Sequence, residues 1–390
     1  MRIAIVIERI EAWRGGAETS TLELAGLLHA RGHEIHLITT SRSPSSPNLT
    51  VHTIRPGTML RPLRTAAFVR KTTDFLAGVS FDLVHAVVPL PCADVYQPRG
   101  GLLPETLERN VALRTSVSRR LFKRTLGRIS VKHQTLLELE RSVFRPDGPC
   151  VLAVSQYVAR QCERYYGITE PRVRVVFNGV RTPTETDEQV AADRRKIRRQ
   201  YHVADDTLLL LFVAHNLRLK GMGTLIDALV RLRRGGDDFK LLVVGRDNPV
   251  RFVRRIERAG LSRHIVFTGP TQRAGAFYHA ADVCIHPTFY DPCSRVVLEA
   301  LSRGVPCITT AYNGATEVMT DGVEGFVVDD PGDGKALAVR IGALRSDTLR
   351  RTMSKHAIRL RERISMARHV RELEAAFTEI VAQRRRSKSA

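Results

Sequence analysis

Asp291 and Glu299 stand eight positions apart in the stretch Phe289–Glu317, FYDPCSRVVLEALSRGVPCITTAYNGATE. Tyr290-Asp291-Pro292 is turn-like. Val297, Leu298 and Leu301 then recur at helical spacing and Gly304 closes the helix. Val305–Thr309 reads as a short apolar strand and Asn313-Gly314 as another turn. The loop-to-helix junction, Ser294-Arg295-Val296, offers backbone N–H groups and the positive end of a helix dipole, which suits a phosphate. One acid lies outside that junction and one within it, so the pair could hold hydroxyls on either side of a diphosphate, as in a nucleotide sugar. The plainer alternative is an αβ unit with a solvated acid at each end.

A second group has matching chemistry. Arg218 and Lys220 follow the apolar strand Leu208–Ala214, and Gly221 comes next. Two cations where a strand meets a helix would neutralise a departing diphosphate; the alternative is surface charge in a very basic chain. Gly245-Arg246 ends the strand Lys240–Val244 at the same expected rim. Near the start, Gly15-Gly16 lets a ligand approach the backbone at a helix N-terminus, or is only a flexible loop. No G-x-G-x-x-G follows the first strand, so this is not a dinucleotide fingerprint.

These positions need strands that deliver loops to one edge. Arg2–Ile7, the helix Ala17–Arg31 and Glu34–Thr40 form a β–loop–α–β opening, parallel and right-handed. The βα rhythm resumes from Leu208 to Val328. Loops after parallel strands form a ligand crevice. His85, after the strand Asp82–His85, and Asp94 in the following loop are therefore expected to face it, although a lone His is more often a structural hydrogen bonder. Thr182–Asp193 is polar and hinge-like. Arg384–Lys388 reads as a frayed basic tail.

The 390 residues suffice for two domains, and 43% hydrophobic content is that of a globular protein. The six cysteines are scattered without metal spacing, which fits a reducing cytosol; Cys284 and Cys307 read as core thiols. The N-terminal strand is too short for a signal peptide, and no apolar run can span a bilayer. A net charge of +21 calls for an anionic partner: nucleic acid, a membrane surface or a phosphorylated substrate. From Arg109 to Lys132 there are eight bases and no acid: Arg109, Arg114, Arg119, Arg120, Lys123, Arg124, Arg128 and Lys132. Apolar residues recur between them, so a basic amphipathic helix on an anionic membrane is expected, each base contributing on the order of 1 kcal/mol. The other reading is a solvated helix packed on its own domain. Aromatic residues are sparse there, which disfavours RNA.

The Phe289–Glu317 segment resembles the acidic-x7-Glu signature of the retaining glycosyltransferases of family 4, with Asp where Glu is usual. Arg218…Lys220-Gly221 resembles that family's phosphate clamp, Asn178-Gly179-Val180 the turn that ends its N-terminal domain, and Asp94-Val95-Tyr96 a segment of its lipopolysaccharide-core glucosyltransferase I type. A second acid found a few residues later in that type is replaced here by Arg99-Gly100. The resemblance extends over nearly the whole chain. It implies an α/β GT-B fold, two Rossmann-like domains facing across a cleft. The expected boundaries are 1–180 for acceptor binding, with a C-terminal helix from about 369 to 390 packing back on it, and 181–368 for the nucleotide sugar.

The resemblance further implies transfer of a hexose with retained configuration, without metal or other cofactor. The donor is a nucleotide sugar such as UDP-glucose, and the acceptor a lipopolysaccharide-core or other membrane-associated glycan or lipid. Asp291 would hold sugar hydroxyls and Glu299 the ribose. Arg218 and Lys220 would hold the diphosphate, with Gly15, Gly16, Gly245, Arg246, Ser294, Arg295 and Val296 completing the donor site. His85 and Asp94 would border the acceptor. The acceptor's proton would go to Asp94, Glu18 or the leaving phosphate. The setting is the cytoplasmic face of an anionic inner membrane, without nucleic acid. The rival class is a basic nucleic-acid-binding protein.

Overall fold

The computed structural model describes residues 1–11, 15–41, 49–58, 60–113 and 130–389. Arg14 and the bases Arg114, Arg119, Arg120, Lys123, Arg124 and Arg128 lie outside the described residues. The chain divides into two units, Met1–Asn178 with Met366–Ala390, and Gly179–Ser365.

In the first unit the apolar runs become strands β1 Arg2–Val6, β2 Glu34–Thr39, β3 Thr50–Thr53, β4 Leu83–Ala86, β5 Val95–Tyr96, β6 Cys150–Ala153 and β7 Val173–Val175. They lie in the order β3-β2-β1-β4-β5-β6-β7, and every pairing is parallel. Near-continuous apolar strands are what a sheet covered on both faces requires. The order reverses between β1 and β4. One face is covered by the helix Gly16–Ala30, through Leu24 and Leu28, and by the C-terminal helix Met366–Ser389, through Val370, Leu373 and Phe377. Those last positions recur at helical spacing, and burying a side chain such as Phe377 is worth about 2–3 kcal/mol.

The C-terminal helix runs on to Ser389. The expectation of a frayed tail is therefore corrected. Arg384 Nη1 lies 2.9 Å from Asp94 Oδ1 and Arg385 Nη2 lies 3.8 Å from Asp82 Oδ1, so charge pairing extends the last turns.

The second unit holds β8 Leu208–Val213, β9 Phe239–Val244, β10 Ile265–Gly269, β11 Val283–His286, β12 Cys307–Thr310 and β13 Gly325–Val328. Their order is β10-β9-β8-β11-β12-β13, again all parallel, reversing between β8 and β11. Leu210, Phe212, Leu225, Leu229, Leu241 and Ile285 lie in one buried core. Cys284 and Cys307 are opposite one another in the β11–β12 register, buried and free. The polar stretch expected to be a hinge is helical from Asp187 to Gln200. Thr186 Oγ1 accepts from the Gln189 N–H and the Gln189 side chain accepts from the Thr186 N–H, a capping box that starts a helix with few apolar residues.

Candidate active site

In an open parallel sheet, ligands bind outside the carboxyl ends of the strands where the order reverses. In the second unit that point lies between the loops after β8 and β11. The β8 loop carries Arg218 and Lys220; the β11 loop carries Asp291. The two loops are tied together by the Leu219 carbonyl, which accepts from the Phe289 N–H at 2.9 Å and the Thr288 hydroxyl at 3.3 Å. Gly221 has φ +87°, and a Cβ there would lie 2.0 Å from the Pro287 carbonyl oxygen. The glycine is needed for this loop-to-loop approach.

The result is a fixed ion pair. Lys220 Nζ donates to Asp291 Oδ2 at 2.6 Å and to the Tyr290 carbonyl at 3.1 Å. His286 Nε2 lies 3.3 Å from the same carboxylate oxygen. Burial alone would raise the Asp291 carboxyl, but the Lys220 ammonium and His286 outweigh it and hold it well below the usual carboxylate range. Burial lowers the His286 imidazole, so it stays neutral at physiological pH. The short Asp side chain thus reaches its own lysine; sequence reasoning placed Asp291 among the catalytic residues and on the sugar hydroxyls, without this partner.

Ser294 caps the helix Arg295–Ser302. Its own N–H donates to Asn313 Oδ1 at 3.1 Å, and its Oγ accepts from the Val297 N–H at 3.5 Å. Asn313, fully buried, also accepts from the Ala315 N–H, and the Gly314 N–H donates to the Asp291 carbonyl. Sequence reasoning saw only an Asn-Gly turn. It missed that this side chain latches the loop before the helix to the loop after β12. One turn into the helix, Glu299 Oε1 lies 3.3 Å from Arg295 Nη2, and Oε2 accepts from the Tyr278 hydroxyl at 3.1 Å. A helix N-terminus bearing Arg295 and Val296, Lys220 on one side and Glu299 on the other is suited to a diphosphate flanked by hydroxyls.

Gly245 and Arg246 line a pocket of about 480 Å3 with Leu217, Asp247, Pro249, Phe267 and Pro270. Gly245 has φ +152°, and a Cβ would lie 1.8 Å from the Ala214 carbonyl. Asp247 Oδ2 accepts from the Leu217 N–H at 2.8 Å, joining the pocket wall to the loop of Arg218 and Lys220.

In the first unit the reversal lies between the loops after β1 and β4, and a pocket of about 760 Å3 opens there. Glu18, Glu8, Arg9, Arg64, Val87 and Lys132 line it. Glu18 is in the first turn of the helix Gly16–Ala30, and a Cβ on Gly15 would come within 3.0 Å of its Oε2. Glu8 Oε2 accepts from the Thr65 hydroxyl at 2.7 Å. Glu8, Arg9 and Arg64 were not singled out from the sequence; the position of Glu8 just past β1 was the available signal.

Two expected members are elsewhere. Asp94 precedes the two-residue strand β5 and pairs beside Val84, accepting from its N–H at 2.8 Å and from Arg384. It lines a different pocket with Ser80, Phe81 and Asp82, at the amino edge of the sheet, so its expected place in the crevice is corrected. His85 points into the core, fully buried with its ring 5.4 Å from that of Phe377, and burial pushes its pKa down to about 3. Two bases of the basic segment lie within the described residues. Arg109 lies in the helix Leu103–Ala112 and is held 2.5 Å from the buried Glu105, and Lys132 belongs to the pocket of Glu18.

Residues 14–183 match the family described as Glycosyltransferase Family 4, and residues 193–360 match Glycosyl transferases group 1. The chain is similar to the lipopolysaccharide glucosyltransferase WaaG of Escherichia coli (strain K12), at 22% identity over 81% of this chain and 82% of that one. It is also similar to the phosphatidyl-myo-inositol mannosyltransferase of Mycobacterium leprae, at 26% identity over 90% and 89%. The crystal structure of WaaG superimposes with a TM-score of 0.82 at 22% identity, covering 97% of this chain and 99% of that one. The Anabaena protein Alr3699/HepE, solved in complex with UDP-glucose, gives 0.74 at 19%, covering 97% and 100%. The two parallel sheets and the two matched domains therefore define a two-domain glycosyltransferase of GT-B fold. The first unit carries a Glycosyltransferase Family 4 domain and the second a Glycosyl transferases group 1 domain.

Proposed function

We propose that the chain is a retaining, metal-independent hexosyltransferase. It takes a hexose from a nucleotide sugar, UDP-glucose foremost, and passes it to a lipopolysaccharide-core or other membrane-associated glycan or lipid. The observation that carries this reading is the Lys220–Asp291 ion pair at the mouth of a helix whose next turn holds Glu299. The UDP-glucose held by the similar Anabaena protein and the lipopolysaccharide glucosyltransferase activity of the Escherichia coli relative support the donor and acceptor classes.

In this reading Lys220 and Arg218 neutralise the departing diphosphate, with the amides of the first turn at Arg295 and Val296. Glu299 takes the ribose hydroxyls, Asp291 shares its carboxylate between Lys220 and the sugar, and the pocket of Gly245 and Arg246 takes the base. The acceptor binds the first unit near Glu18, which receives its proton together with, or in competition with, the leaving phosphate.

No helix among the described residues is long and apolar enough to cross a membrane. The bases between Arg114 and Arg128 support peripheral contact with an anionic cytoplasmic membrane face. The test is a thermal-shift and calorimetric screen against UDP, GDP and ADP, followed by turnover of the matching sugar nucleotide with and without EDTA. Stabilisation by one nucleotide and chelator-resistant turnover are expected. No response to any nucleotide, with salt-sensitive binding to RNA, would overturn the reading.

A further inference from the structure

Both oxygens of the Glu299 carboxylate have a fixed partner inside the second unit. Oε2 accepts from the Tyr278 hydroxyl at 3.1 Å, and Oε1 lies 3.3 Å from Arg295 Nη2. The partners are themselves held. Tyr278, on the helix Ala274–Ala280, is 1% exposed, and the Arg303 guanidinium lies 5.7 Å from its ring centroid. Arg303 also donates to the Glu299 main-chain carbonyl at 3.4 Å. Arg295 Nη1 donates to the Gly179 carbonyl at 3.2 Å. The Glu299 side chain nevertheless keeps 26% of its surface exposed.

A carboxylate oxygen can accept two hydrogen bonds. Each oxygen of Glu299 thus retains acceptor capacity after its internal partner is satisfied, and the partly exposed carboxylate offers two neighbouring acceptors. That is the shape that reads a cis-diol. We propose that Tyr278 is a positioning residue that fixes the Glu299 carboxylate to read the ribose 2′- and 3′-hydroxyls of the donor nucleotide. The proposal rests on the donor-binding reading given above. An unpinned glutamate would have to be ordered when the nucleotide binds, which weakens binding. The phenol stays protonated and able to donate, because burial pushes its pKa up and the Glu299 charge adds to this.

The test is calorimetry on the full chain. The ligands are UDP, GDP and ADP, and then the 2′-deoxy counterpart of whichever binds. The wild-type chain should prefer the ribonucleotide about tenfold, a difference of about 1.4 kcal/mol. Tyr278→Phe removes only the hydroxyl. It should weaken the ribonucleotide roughly fivefold, leave the 2′-deoxy nucleotide within about twofold, and raise the donor KM with kcat nearly unchanged. Equal weakening of both nucleotides, or an intact preference, would overturn the proposal. If Tyr278→Phe does not fold, Glu299→Gln serves in the same comparison: it should lose most of the ribonucleotide preference, and an intact preference there would show that this carboxylate does not read the ribose and would overturn the proposal equally. A wild-type chain that binds none of the three nucleotides would instead overturn the donor-binding reading beneath it.

Discussion

Lys220 Nζ and Asp291 Oδ2 are 2.6 Å apart, joining the loop after β8 to the loop after β11 across the point where the strand order reverses. The pair is mostly buried, with 19% and 14% of the two side chains exposed. It therefore has a structural consequence as well as a chemical one. Lys220→Ala should abolish donor turnover and also destabilise the second unit, by up to about 3–5 kcal/mol, because Asp291 keeps its charge without its main partner. His286 remains beside Asp291 and softens the loss. The double variant Lys220→Met, Asp291→Asn should recover most of the stability and none of the turnover, which thermal melts and donor assays would separate. Equal loss of stability in both variants would show that the charges are not what the loops need.

Gly221→Ala should be more damaging than its size suggests. The Cβ would fall 2.0 Å from the Pro287 carbonyl oxygen in a left-handed backbone. Such a position disfavours any side chain by about 1 kcal/mol before the clash is counted. Chemical denaturation should show a loss above about 2 kcal/mol and a much higher donor KM. A melt within a degree of wild type would mean that the two loops can part without cost.

The two acids once equivalent as proton acceptors are separated by the edge of the sheet on which they lie. Asp94→Asn should leave kcat within about twofold while weakening the contact with Arg384. Glu18→Gln should lower kcat by roughly 100-fold if it takes the acceptor's proton, the usual scale for a general base. Near-normal turnover in Glu18→Gln would assign the proton to the leaving phosphate.

The first unit should lose stability as pH falls below about 6.5. His85 and His369 are buried and neutral, and both pKa values are lowered, that of His85 to about 3. A base with a depressed folded pKa contributes stability that is complete above its unfolded pKa and is lost as pH falls toward the folded one. Each should therefore remove about 1.4 kcal/mol per pH unit below about 6.5. Glu140 works in the opposite direction. Burial raises it to about 7, so its contribution is complete below the ordinary carboxylate pKa and is lost as pH rises through about 7. Denaturation at several pH values should show that His85→Met flattens the acid slope by about one proton and Glu140→Gln steepens it. An unchanged slope in His85→Met would place the acid sensitivity elsewhere.

Much of this was visible in the chain. LLLLFV at β8 and RIAIV at β1 are continuous apolar runs that only a two-sided sheet can bury, and they set the βα rhythm. That Lys220 and Asp291 lie together could be expected because loops after such strands must share an edge. Asp94 was misplaced for a related reason: β5 has two residues, and a residue just before it lies at the opposite edge from one just after it. The helix Asp187–Gln200 was missed because its composition is polar, although Thr186 and Gln189 carried its start signal. Asn313 and Tyr278 could not be read at all. Their partners, Ser294 and Glu299, are 19 and 21 positions away, and nothing local marks those contacts.

The second unit enters after Asn178 and leaves before Met366, and its two ends meet: the Val180 N–H donates to the Ile364 carbonyl at 2.9 Å. It is thus an insertion within the first unit, with a closed neck. On a ribosome, the inserted unit has its whole sequence available while the sheet begun at Arg2 still lacks Val370, Leu373 and Phe377 from its core. The half that starts first must finish last, and a nascent chain halted before residue 366 would carry one complete domain and one with an uncovered face.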